Sequence, residues 1–84
     1  MKKLRTSIHS EEQQFLRQLF ISQRKSLGLS QRALAERLGV IYSLIGKIET
    51  GDRRLDVIEF MDYCFALELD PNAVLQQMKA KFYP

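Results

Sequence analysis

Apolar residues recur at helical spacing in five places along the chain, and a helix-starting or helix-stopping residue bounds each one. Ser10 with Gln13 forms an S-x-x-Q capping box, and Phe15, Leu16, Leu19, Phe20, Gln23 and Leu27 then trace one face up to Gly28. This predicts a first helix from Glu11 to about Leu27, with Ile21 off the stripe. Ser30 can cap a second, shorter helix that carries Leu34, Ala35 and Leu38, and Gly39 stops it because glycine tolerates the left-handed conformation that ends helices. Ile41, Ile45 and Ile48 follow at i, i+4, i+7, one buried stripe on a third helix over about 41–50 that ends before Gly51. Asp56 with Glu59 repeats the capping logic for a fourth helix, Val57 to about Leu67. Asp70 and Pro71 start a fifth as N-cap and first helical residue, with Val74, Leu75, Met78 and Phe82 spaced for burial. The expected fold is all-α, a five-helix bundle over residues 10–84 preceded by an arm over residues 1–9.

Two helices depart from the ordinary amphipathic pattern. Placing the third at about 100 degrees per residue with Ile45 inward sets Ser43, Gly46, Lys47 and Thr50 outward, with Tyr42 and Leu44 on the flanks. A helix needing only solubility would carry several charges and strong helix formers there. Small hydrogen-bonding side chains, a methyl and one lysine instead suit the major groove, where base edges present donors, acceptors and thymine methyls. The fourth helix is apolar nearly all round. Ile58, Met61 and Phe65 make one stripe, and Val57, Phe60, Cys64 and Leu67 a second, so one face must meet another helix or another chain. Phe60, Cys64, Leu67, Met78 and Phe82 are the candidates for a homodimer surface.

Composition narrows the picture. Eighty-four residues make one domain with a modest core. The lone Cys64 rules out an internal disulfide framework, and without a nearby His or base it reads as core; a reducing cytoplasm is the simplest compartment. No run approaches a membrane span, and Met1 to Ser10 lacks the apolar core of a signal peptide. The net charge is +3, but residues 1–55 hold eleven Lys or Arg against five Asp or Glu, while residues 56–84 hold two against five. A basic front and an acidic back are the electrostatic footprint of a nucleic-acid binder. Lys2, Lys3 and Arg5 give the arm a basic character; it reads first as a disordered tail, and second as an arm that follows a phosphate backbone or enters a minor groove. His9 has no ligand-spaced partner, so neither a metal nor a cofactor is expected.

The segment from about Arg24 to Leu75 resembles the Cro/CI-type, or XRE-type, helix-turn-helix family of phage and bacterial regulators. The resemblance rests on Arg24, on Leu29, Ser30 and Gln31, on Leu34 and Ala35, on Leu38 to Val40, and on Ile45, Ile48, Glu49 and Gly51, a specific set although each alone is weak. It implies a lambda-repressor-like DNA-binding fold. It also implies an ion pair between Arg24 and Glu49, which the helical wheel accommodates, and a phosphate contact or bracing role for Gln31. The chain departs from the family at Ile41, where a Ser or Thr usually caps the third helix, at Gly46, where a small polar residue is usual, and at Leu55, which replaces a proline.

From these residues the expected function is sequence-specific binding of double-stranded DNA by a dimeric transcriptional regulator, a repressor that occludes a promoter at an inverted repeat. Tyr42, Ser43, Leu44 and Lys47 are the candidate base readers, with Lys47 either reading guanine or gripping phosphate. Gln31, Arg32, Arg53 and Arg54 are the candidate phosphate or bracing residues. The alternative is an antitoxin or adaptor whose acidic C-terminal half holds a partner protein. An enzyme is not expected, because one His, one Cys and no glycine-rich phosphate loop assemble no catalytic constellation.

Overall fold

All five expected helices are present, and side-chain caps start four of them while glycines follow the first three. The computed structural model describes Leu4 and residues 7–84, so the expectation for Lys2, Lys3 and Arg5 of the arm lies outside the described residues. Helix α1 spans Glu11–Ser26, α2 Gln31–Leu38, α3 Tyr42–Thr50, α4 Val57–Ala66 and α5 Pro71–Phe82. Among the described residues there is no strand.

The caps explain the breaks. Ser10 Oγ accepts from the Gln13 N–H and Ser30 Oγ from the Ala33 N–H, each satisfying a backbone donor that a helix start leaves unpaired. Asp56 and Glu59 bond reciprocally to each other's backbone N–H, a complete capping box. Helix α3 has no such help: Ile41 occupies its N-cap and makes no side-chain cap bond. Gly39 ends α2 at φ +68°, a conformation that costs glycine little.

The core draws on every helix. Phe20 of α1, Leu34 and Ala35 of α2, Ile45 and Ile48 of α3, Tyr63 and Cys64 of α4, the following Leu67, and Val74 of α5 are all buried. The ring of Phe20 lies 4.8 Å from that of Tyr63 and 6.0 Å from that of Phe60, so α1 closes over α4 through aromatic contacts. Phe15 and Phe82 meet edge to face at 5.7 Å and dock α5 on α1.

Two expectations about which residues face inward are corrected. Ile41 is 74% exposed, so the buried stripe of α3 is Ile45 and Ile48 alone; as the N-cap, Ile41 has extended backbone and leaves the helical rotation that would turn it inward. On α4 the two apolar stripes exchange roles. Cys64 and Leu67 have no accessible surface, and Phe60, Met78 and Phe82 are half-buried, Phe60 and Phe82 in the ring contacts with α1. The candidate dimer residues are therefore core or its margin. Solvent instead meets Val57 at 75%, Ile58 at 70% and Phe65 at 68% exposure, with Met61 between them.

Candidate nucleic-acid interface

The turn from Gly39 to Ile41 joins α2 to α3, and Leu34 and Ala35 on one side and Ile45 and Ile48 on the other bury the pair in a common core. With its apolar side fixed, α3 turns Ser43, Lys47 and Thr50 to solvent, leaves Tyr42 about half exposed, and keeps Gly46 half-buried. Of the outward face expected from the wheel, Ser43, Lys47 and Thr50 are exposed and Gly46 is not; of the two flanking residues, Tyr42 is exposed and Leu44 is not. Leu44, a candidate base reader, packs against the core cluster and lines a small apolar cavity of about 80 Å³ with Leu38, Val40 and Leu55. Of the candidate base readers, Tyr42, Ser43 and Lys47 are thus the ones left exposed.

Behind this face, α3 is held by a charged clamp. Arg24 donates from Nε to Glu49 Oε2 at 2.6 Å and from NH2 to Oε1 at 3.0 Å, a two-pronged pair whose side chains are 11% and 9% exposed. A third Arg24 donor reaches the Leu29 carbonyl at 2.8 Å. Gln31 Nε2 donates to Glu49 Oε1 at 3.0 Å. The carboxylate at the end of α3 thereby ties α1, the entry to α2 and α3 into one unit, and such a forked geometry fixes orientation as well as distance. Gln31 is a brace; its Oε1 lies 3.8 Å from where a Cβ on Gly46 would sit.

The turn after α3 is organised around Gly51 at φ +86°. A Cβ there would lie 2.9 Å from Arg17 Cζ, and Arg17 also donates to the Ile8 carbonyl at 2.8 Å. Sequence spacing carried no sign of this arginine, because its partners are backbone atoms. The Lys47 carbonyl accepts from the Asp52 and Arg53 N–H groups, and the Thr50 hydroxyl meets Asp52 Oδ2 at 3.0 Å.

The candidate phosphate residues divide. Arg54 is exposed on this turn. Arg53 is half-buried and paired with Glu59 through both terminal nitrogens. The hydrogen bond from Arg53, together with the Asp56 backbone, holds the Glu59 carboxyl below its ordinary range, and the same bond raises Arg53. Of the two arginines expected to clamp phosphate, Arg53 thus also pins the turn to α4. Arg37, on the polar side of α2, donates to the Ala66 carbonyl and to Glu68, both at 2.9 Å, so it holds the α4–α5 connection, where Glu68 adopts φ +60°. Arg32 lies over the ring of Tyr42 across the interhelical turn, a contact that their ten-residue separation did not announce.

Burial pushes the Cys64 thiol up to about 11 and raises the Tyr63 phenol, which suppresses reactivity. Among the described residues no cluster of His, Cys, Asp or Glu could hold a metal ion, and no helix is long and apolar enough to cross a membrane.

Comparison with known proteins gives two findings. A family model described as helix-turn-helix matches residues 21–72, which runs from the last turns of α1 through all of α2, α3 and α4 to the start of α5. Among solved structures, the chain is similar to an XRE-family like protein from Pseudomonas syringae pv. tomato str. DC3000, at 43% identity and a TM-score of 0.83, over 89% of this chain and 92% of that one. No curated protein matches.

Proposed function

The chain belongs to the helix-turn-helix family of the XRE type, and from that premise we propose that this DNA-binding regulator works as a dimeric repressor, occluding a promoter by binding an inverted repeat. The observation that carries the reading is the outward face of α3. Ser43, Gly46 and Lys47 offer donors, acceptors and low bulk on a helix that Arg24, Glu49 and Gln31 hold from behind, which is what entry into a major groove requires. Ser43 and Lys47 contact base edges, Gln31 braces the helix, and Arg54 grips phosphate and sets register.

Dimerisation is supported by the strip of Val57, Ile58, Met61 and Phe65 on α4, whose exposed apolar area a second copy would cover. Two copies would set their reading helices in successive major grooves about 34 Å apart. One feature favours a second reading, an adaptor or antitoxin that holds a partner protein there: no Lys or Arg occurs from Leu55 to Met78, while five Asp or Glu do, a rim that suits a basic partner. Co-purification with such a chain would select it.

The test is selection of bound sequences from random duplex by the wild type, Lys47→Ala and Arg54→Ala. Lys47→Ala should relax one base position. Arg54→Ala should weaken all sites alike and lower the salt slope by about 0.9. A wild-type protein that binds every duplex equally would end the proposal.

A further inference from the structure

One contact joins the two helices of the motif on their solvent side. Arg32, in the first turn of α2, lays its guanidinium over Tyr42, the first residue of α3, with Cζ 3.9 Å from the ring centroid. Both side chains are exposed. Arg17, Arg24, Arg37 and Arg53 each donate to an acceptor of the protein. Among the described residues nothing accepts from Arg32, whose fixed contact is the ring alone. The ring therefore holds the guanidinium carbon over its face and leaves the N–H groups without an acceptor among the described residues.

That arrangement suits a particular ligand. A phosphate accepts a cation from many directions and is well served by a mobile side chain. The O6 and N7 atoms of guanine lie in the plane of the base and are met by both prongs of an arginine only when its plane is fixed. Tyr42 stands at the N-terminal end of the reading helix, the end from which side chains reach base edges. We infer that Arg32 is a specificity-determining residue that selects a guanine in the major groove, and that Tyr42 is its positioning platform rather than a reader. This rests on the DNA-reading function proposed above and moves Arg32 from the phosphate contacts to the base contacts.

The experiment uses the full chain and the best duplex selected by the wild type. Each guanine is replaced in turn by 7-deazaguanine, which keeps base pairing and removes the N7 acceptor. At one guanine per half-site the wild type should lose about tenfold or more in affinity, the loss of one charge-assisted bond. Arg32→Ala should bind the unmodified duplex more weakly by a similar factor and be indifferent to that replacement. Tyr42→Phe, which keeps the ring, should retain the wild-type response. The inference is overturned if Arg32→Ala weakens every duplex equally with a lower salt slope, the behaviour of a phosphate contact, or if it keeps the wild-type response to 7-deazaguanine. In either case a surviving sequence preference leaves the proposed function standing, whereas a wild type without preference removes both.

Discussion

Helices α3 and α4 are nearly equal in length and each gives two side chains to the same core, yet they are stabilised in opposite ways. Helix α4 begins with a complete capping box and consists of residues that pack well. Helix α3 has an isoleucine where a cap belongs and a glycine in its middle, a deficit of about 1 kcal/mol from each. What α3 lacks locally it receives from Arg24, Gln31 and the core. Their outward faces differ as well, polar and small on α3, apolar on α4. The lesson is that the helix suited to reading a ligand is the one least able to stand alone.

The most severe way to break this contrast is to remove the outside support. Arg24→Ala should destabilise the fold by about 3 to 5 kcal/mol in denaturant unfolding, because it strands the nearly buried Glu49 carboxylate. Arg37→Ala, at the exposed pair with Glu68, should cost roughly 1 kcal/mol or less. Equal losses would refute the distinction. Next comes the apolar face of α4. Phe65→Glu should raise the dimer dissociation constant some 30-fold, about 2 kcal/mol, in sedimentation equilibrium, with helicity unchanged. An unaltered association state would remove α4 from the interface.

The caps give a smaller and reciprocal effect. Asp56→Ala should lower stability by about 1 kcal/mol, and Ile41→Ser should raise it by a comparable amount, since the missing acceptor is restored at an exposed position. Smallest is Gly46→Ala. The added Cβ meets nothing nearer than Gln31 Oε1 at 3.8 Å, so thermal stability should rise by about 0.8 to 1.0 kcal/mol. If α3 enters the major groove as proposed, the same methyl adds bulk at the interface and affinity for the selected duplex should fall. A gain in both would mean that Gly46 is not at the interface.

The element order, the motif and the clamp were legible because each is written in local or strongly patterned form: Ser10, Ser30, Asp56 and Asp70 as caps, Gly39 and Gly51 as stops, Arg24 and Glu49 at family spacing. The inward side of α4 was not. A helix with apolar residues on two sides carries no polarity that separates Cys64 and Leu67 from Ile58 and Phe65, and the packing of the other helices around it decides which side is buried. Ile41 misled for a different reason, since a residue at a helix boundary keeps the sequence period but not the helical backbone. The pairing of Arg53 with Glu59 lay at a visible spacing, whereas the stack of Arg32 on Tyr42 depends on the turn between helices, whose angle no periodicity records.

The guanidinium of Arg17 rests where a side chain at position 51 would begin, and it also holds the carbonyl of Ile8. Ile8 is thereby held beside the Asp52–Leu55 turn, with which it shares a surface hollow. A single side chain thus couples two segments far apart in sequence, so shortening Arg17 would release the Ile8 lead-in to α1 and the turn after α3 together.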